Sequence, residues 1–124
     1  MKLAINLPLL VFWQAFGEAL ALVRPLGLDA ARLIDIFSDT SGAPTALRNR
    51  ALALATAIQG KDVSPVTVDI DAMRKDLRTM VEEAKALGTQ LPVTARTLEC
   101  YDQASQAGLG NGDITGIPVR WMKR

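Results

Sequence analysis

The chain has 124 residues, enough for one domain with a real core, and 49% hydrophobic against 22% charged residues is a globular balance. A formal net charge of +1 gives no reason to expect nucleic acid or an anionic membrane as partner. One cysteine and no histidine exclude an internal disulfide, a histidine metal site and any His-based catalytic triad; a lone thiol fits a reducing, cytoplasmic compartment.

The apolar periodicity is helical nearly throughout, and no internal repeat or low-complexity tract occurs. The first predicted helix runs from Lys2 to Leu26. Ala4, Ile5, Val11, Phe12, Ala15, Phe16, Ala19, Leu22 and Val23 fill one broad arc. Lys2, Asn6, Gln14, Glu18 and Arg24 fall on the other side, with Leu10 and Trp13 among them. A helix apolar over most of its surface is expected at the centre of a bundle, packed by several neighbours. Pro8 should kink it or mark its first turn. The same segment, Met1-Lys2 and an apolar run to Val23, also resembles a signal peptide, with Ala19-Leu20-Ala21 as a cleavage-like site. Asn6, Gln14 and Glu18 interrupt it, which favours the core helix and no membrane.

Asp29 can cap a second helix over Ala30 to Phe37, and the polar Ser38–Gly42 loop comes next. Pro44 opens a third helix that ends near Gly60. Strand-like alternation over Val63–Ile70 is interrupted by Pro65 and reads as loop. A fourth helix spans Asp69 to Leu87 with Gly88 as its C-cap, and its stripe is Ile70, Met73, Leu77, Met80, Val81, Ala84 and Leu87. Pro92 opens a fifth helix ending at Gly108, which carries Cys100 as a small packing residue, and a short last helix comes after Asp113, before Trp121 and a basic tail. The sum is an all-α domain of six helices over residues 1–124 with a long central first helix.

Two places bear residues suited to chemistry. Lys2 and Asn6 stand four apart and share a helix face. A lysine partly desolvated there loses some of its charge, its pKa falls from about 10.4, and it becomes fit for acid/base work on a hydroxyl. An ordinary Lys and Asn at a helix start are solvated surface, and spacing does not separate the two. Lys75-Asp76 is the second place: Asp76 lies at the edge of the apolar stripe and Lys75 points away, able to meet an anionic ligand group. Its ordinary alternative is an Asp71–Lys75 ion pair at i,i+4. Gly108-Leu109-Gly110-Asn111-Gly112-Asp113 has no preceding strand and no Gly-Lys-Ser/Thr, so it reads as a loop with a helix cap rather than a phosphate cradle. No metal site is expected.

These pieces occur together in a familiar order. Lys2-Leu3-Ala4-Ile5-Asn6 resembles the K-x-x-x-N motif of the 3-hydroxyisobutyrate dehydrogenase family, the β-hydroxyacid dehydrogenases of the 6-phosphogluconate dehydrogenase superfamily. Glu18-Ala19-Leu20-Ala21-Leu22 with Leu26-Gly27-Leu28-Asp29, Asn49-Arg50, Lys75-Asp76-Leu77, and Ala107–Gly110 with Asp113-Ile114-Thr115 resemble its further motifs, so the likeness spans the chain. The resemblance implies the helical C-terminal domain of an NAD- or NADP-dependent oxidoreductase acting on a small 3-hydroxy acid or semialdehyde. It implies Lys2 as general acid/base, Asn6 as its positioning partner, Lys75 as a cofactor contact and Asp76 as support for that contact. It implies a homodimer through the helical domain, with the first helix at the interface. The chain departs from the family in three ways: no Rossmann fingerprint precedes the lysine, Ile5 stands where a second Asn is common, and Val68 stands where an aromatic is common. The isolated helical part is therefore expected to be inactive. A non-catalytic helical dimerisation or interaction module is the alternative.

Overall fold

A computed structural model describes residues 1–123; Arg124, the end of the basic tail, lies outside the described residues. Seven α-helices succeed one another: α1 (Lys2–Val23), α2 (Ala30–Ser38), α3 (Thr45–Asn49), α4 (Ala51–Ile58), α5 (Ile70–Ala86), α6 (Pro92–Ala104) and α7 (Gly116–Val119). Among the described residues there is no strand, only one antiparallel bridge between Asp69 and Asp113. The all-α expectation holds, and α1 is the long helix around which α5, α6 and α7 pack, while α2 packs on α4.

Helix ends obey local chemistry. The Asp29 side chain accepts the Arg32 N–H at 3.2 Å and starts α2. Asp69 accepts the Ala72 N–H at 2.7 Å and starts α5. Gly88 at φ 74° closes α5 in the left-handed region, where a side chain is strained. The predicted first helix ends three residues early, because Arg24–Leu26 tightens into a 3-10 turn. The predicted fifth helix leaves α geometry after Ala104 and winds as a wider turn to Leu109, with Gly108 at φ 89° inside it.

The third predicted helix is two. It breaks at Arg50, whose backbone sits at φ −105°, ψ 9°. Asn49, a weak helix former, precedes the break, and the Arg50 side chain is drawn away to Thr67 and Asp113. A tertiary contact thus overrides a local apolar period that continues across the break.

On α1 the buried stripe differs from the predicted arc. Leu10, Trp13, Gln14, Phe16, Gly17 and Leu20 are buried, a set spaced at three and four residues. Ala4, Ile5, Ala15 and Leu22 of the predicted arc are exposed, with Ile5 at 67% and Leu22 at 83%. With apolar side chains on nearly every side, hydropathy alone could not select the face. A Cβ on Gly17 would lie 2.5 Å from Trp121 Cδ1 and 2.9 Å from Pro118 Cα, so α7 crosses α1 where the helix has no side chain. The Tyr101 hydroxyl donates to the Leu10 carbonyl at 2.8 Å and ties α6 to the same face; burial pushes this phenol up. Phe12 stacks on Phe16 at a centroid distance of 5.5 Å, and Phe16 meets Phe37 edge to face at 5.2 Å, joining α1 to α2. By length and composition α1 is also apolar enough to cross a membrane, yet its middle carries the core: Leu10 and Leu20 are 2% and 0% exposed. Each such leucine contributes about 2 kcal/mol by burial.

Candidate active site

Lys2 and Asn6 lie at the start of α1, Lys2 exposed and Asn6 half-buried. At about 100° per residue they continue the stripe of Trp13, Gly17 and Leu20, beyond the point where the core stops. They therefore share the side of α1 that faces the other helices, where the first two turns are only partly buried, through Leu3 and Leu7. Pro8 sits inside α1 without breaking it; its missing N–H costs one ladder bond near the frayed end, where the loss matters least.

Lys75 is exposed on α5 and Asp76 is half-buried beside it. The other charged side chains of this stretch are engaged elsewhere. Asp71 accepts the Ser105 hydroxyl at 2.7 Å and pairs with Arg74 at 3.3 Å, so the Asp71–Lys75 pair does not form. Arg74 and Arg78 converge on one oxygen of Asp102 at 3.1 and 2.8 Å, joining α5 to α6. Burial works against the Asp102 charge, but the hydrogen bonds from Arg78 and Arg74 outweigh it and hold this carboxyl below its usual range. Asp76 lies on the opposite flank of α5 from this network by helical spacing. Among the described residues, none of the side chains of Lys2, Asn6, Lys75 and Asp76 makes a hydrogen bond or an ion pair. α1 and α5 pack against each other, but no direct bond links one pair of candidates to the other.

A second polar cluster was visible in the sequence only as separate pieces. Arg50 pairs with Asp113, whose side chain is 3% exposed, and also donates to Thr67 Oγ1 at 2.8 Å. The Thr115 N–H donates to the same Asp113 oxygen at 3.0 Å. Burial opposes the charge on Asp113, but the bonds from Arg50 and Thr115 prevail and its carboxyl is held low. Around it, Ile70 N–H donates to Gly112 C=O at 3.1 Å, Asp71 N–H to Gly110 C=O at 2.9 Å, and Ile114 N–H to Val68 C=O at 2.9 Å. The first donors of α5 are thereby satisfied by the 110–114 turn, which removes this helix start as an anion site. An open depression of about 440 Å³ lies alongside, walled by Lys61, Val66, Asp113 and Val119; none of Lys2, Asn6, Lys75 and Asp76 lines it. The signal that could have found the cluster is the Asn49-Arg50 and Asp113 pair of motifs, 63 residues apart for Arg50 and Asp113.

Cys100 is buried in α6, as a packing role requires, and burial raises its thiol pKa. Among the described residues no cluster of acidic or cysteine side chains could hold a metal ion.

Comparison with known proteins converges on one family. The chain is 25% identical over 117 residues to glyoxylate/succinic semialdehyde reductase 2 of Arabidopsis thaliana, covering 94% of this chain and 31% of that protein. It is 28% identical over 120 residues to the cytokine-like nuclear factor N-PAC of Aedes aegypti, covering 97% of this chain and 21% of that one. A crystal structure of 3-hydroxyisobutyrate dehydrogenase from Salmonella typhimurium superposes with a TM-score of 0.80 at 26% identity, over 94% of this chain and 39% of its own. The chain thus spans about a fifth to two fifths of the relatives it matches. A family model described as the NAD-binding domain of NADP-dependent 3-hydroxyisobutyrate dehydrogenase matches residues 1–120, and the chain belongs to this family of β-hydroxyacid dehydrogenases.

Proposed function

We infer that this chain is the helical, acid/base-bearing part of an NAD(P)-dependent oxidoreductase acting on a small 3-hydroxy acid or semialdehyde. The observation that carries the reading is the freedom of Lys2, Asn6, Lys75 and Asp76 from any partner within the described chain, next to Asp71, Arg74, Arg78 and Asp102, which are consumed in bonds to one another. Lys2 exchanges a proton with the substrate oxygen through its Nζ, and Asn6, one turn on, holds that ammonium and the substrate in register. Lys75 presents a free cation suited to an anionic or polar group of a dinucleotide, and half-buried Asp76 supplies an acceptor beside it; these residue types fit NAD or NADP. When bound, the nicotinamide gives or takes the hydride. Lys2 and Lys75 are exposed in this chain and Asn6 and Asp76 half-buried, so a dinucleotide-binding half is needed to cover them and exclude water. The exposed face of α1, with Ala4, Ile5, Ala15 and Leu22, is assigned to a second copy, making a homodimer through the helical domain.

The test is NAD(P)-dependent oxidation of small 3-hydroxy acids by the complete enzyme, with Lys2→Ala beside it. The expected loss in kcat is about 10²- to 10⁴-fold, the usual contribution of a positioned acid/base. Wild-type kcat in Lys2→Ala would remove the assignment. The helical part alone is expected to show no turnover. A non-catalytic dimerisation module is the second reading, and the likeness to a protein named as a nuclear factor favours it; it predicts the same dimer and no oxidation by the complete protein.

A further inference from the structure

The chain has asparagines at positions 6, 49 and 111, and they differ in their C-terminal neighbours. Asn6 and Asn49 lie in α1 and α3 and precede Leu7 and Arg50. Asn111 is exposed in the turn between α6 and α7 and precedes Gly112. A backbone nitrogen can attack the preceding side-chain amide when no Cβ hinders it and the backbone can rotate; glycine meets both needs, and a helical N–H held by its ladder meets neither.

The fold sets both the obstacle and the consequence. The Gly112 N–H donates to the Leu109 carbonyl at 2.9 Å, so the attacking nitrogen is held in the turn and must first be released. On either side of Asn111, the carbonyls of Gly110 and Gly112 hold the N–H groups of Asp71 and Ile70. Gly110 has no slack, since a Cβ there would run into the Asp71 carboxylate.

We propose that Asn111 is a site of spontaneous deamidation gated by opening of the 109–112 turn, and that isoaspartate formed there unpins the first turn of α5. The Gly112 nitrogen loses its proton and bonds to Asn111 Cγ. The bond from Cγ to the amide nitrogen breaks, and that nitrogen leaves as ammonia with the proton. Water then opens the cyclic imide at either carbonyl and leaves aspartate or isoaspartate at position 111. No electrons change hands. Isoaspartate routes the main chain through the side-chain methylene, which lengthens the stretch between two carbonyls whose spacing matches consecutive donors on α5.

The experiment incubates the purified chain at mildly alkaline pH, native and in denaturant, and maps the mass gain by peptide. Modification is expected at position 111 ahead of 6 and 49, and about tenfold or more faster in denaturant, because a reaction that needs the open turn scales with its open fraction. Gly112→Ala should slow the reaction in denaturant, where folding plays no part. The separated isoaspartyl fraction should exchange the Ile70 and Asp71 amides faster than unmodified chain. Earlier modification at Asn6 or Asn49, equal rates with and without denaturant, or unchanged protection at Ile70 and Asp71 would each overturn the proposal.

Discussion

The starts of α1 and α5 are built in opposite ways. At α5 the Asp69 side chain caps Ala72, the carbonyls of Gly112 and Gly110 take the two preceding donors, Ile70 and Asp71, and the Arg50–Asp113 pair clamps the turn that supplies them. At α1 no side chain caps the first turn, Met1 and Ile5 are 96% and 67% exposed, and full burial begins only at Leu10. The first two turns of each helix carry candidate site residues. One start is tied to a distant turn of the chain, while the other has no side-chain cap and leans on the partly buried Leu3 and Leu7. Under the proposed roles, Lys2 gains from freedom to adjust to a substrate, and a cofactor contact at Lys75 gains from a fixed helix.

The largest expected effect comes from cutting the clamp. Arg50→Ala leaves the Asp113 carboxylate buried without its cation and should cost about 3 kcal/mol, at the low end for a buried pair because Arg50 is 22% exposed. That corresponds to roughly 10 °C in a thermal melt followed by circular dichroism. A loss below about 1 kcal/mol would mean that the clamp does not govern α5.

Acid probes the same contrast next. The carboxyls of Asp113 and Asp102 are held below their unfolded value of about 3.9. Their stabilisation is therefore fully present above that value and is lost as pH falls through the lower folded values. Melting temperature should fall in that acid window, and Arg50→Ala should flatten the part due to Asp113. An unchanged acid slope in the variant would separate Arg50 from the Asp113 charge.

The smallest effects separate the two helix starts directly. Asp69→Ala removes a cap and should cost about 1 kcal/mol. Ile5→Ser, on the loose start, should change the stability of the monomer by no more than about 0.5 kcal/mol. Analytical ultracentrifugation should instead show weaker self-association for Ile5→Ser. A dimer of wild-type strength would take Ile5 out of the assigned interface.

The order of helices was legible because periodicity, proline, Asp29, Asp69 and Gly88 act within a few residues of themselves. α5 illustrates this: Ile70, Leu77, Met80 and Ala84 of its predicted stripe are buried, although Leu87 at its end is 79% exposed. The face of α1 was not legible, since an almost uniformly apolar helix leaves hydropathy no direction to point. The candidate pairs Lys2–Asn6 and Lys75–Asp76 could be read from motif order. The absence of an Asp71–Lys75 pair could not, because it depends on distant Ser105, together with Arg74, engaging the Asp71 carboxylate.

By itself the amino-acid order determined the all-helical class and most helix ends, both consequences of short-range spacing. Only the tertiary structure decided that the third segment breaks at Arg50, that Gly17 rather than a larger neighbour meets α7, and that Asp113 is a buried partner instead of a surface cap. Each of these is set by a contact between residues far apart in the chain, where close packing and the cost of an unpaired buried charge outweigh local preference.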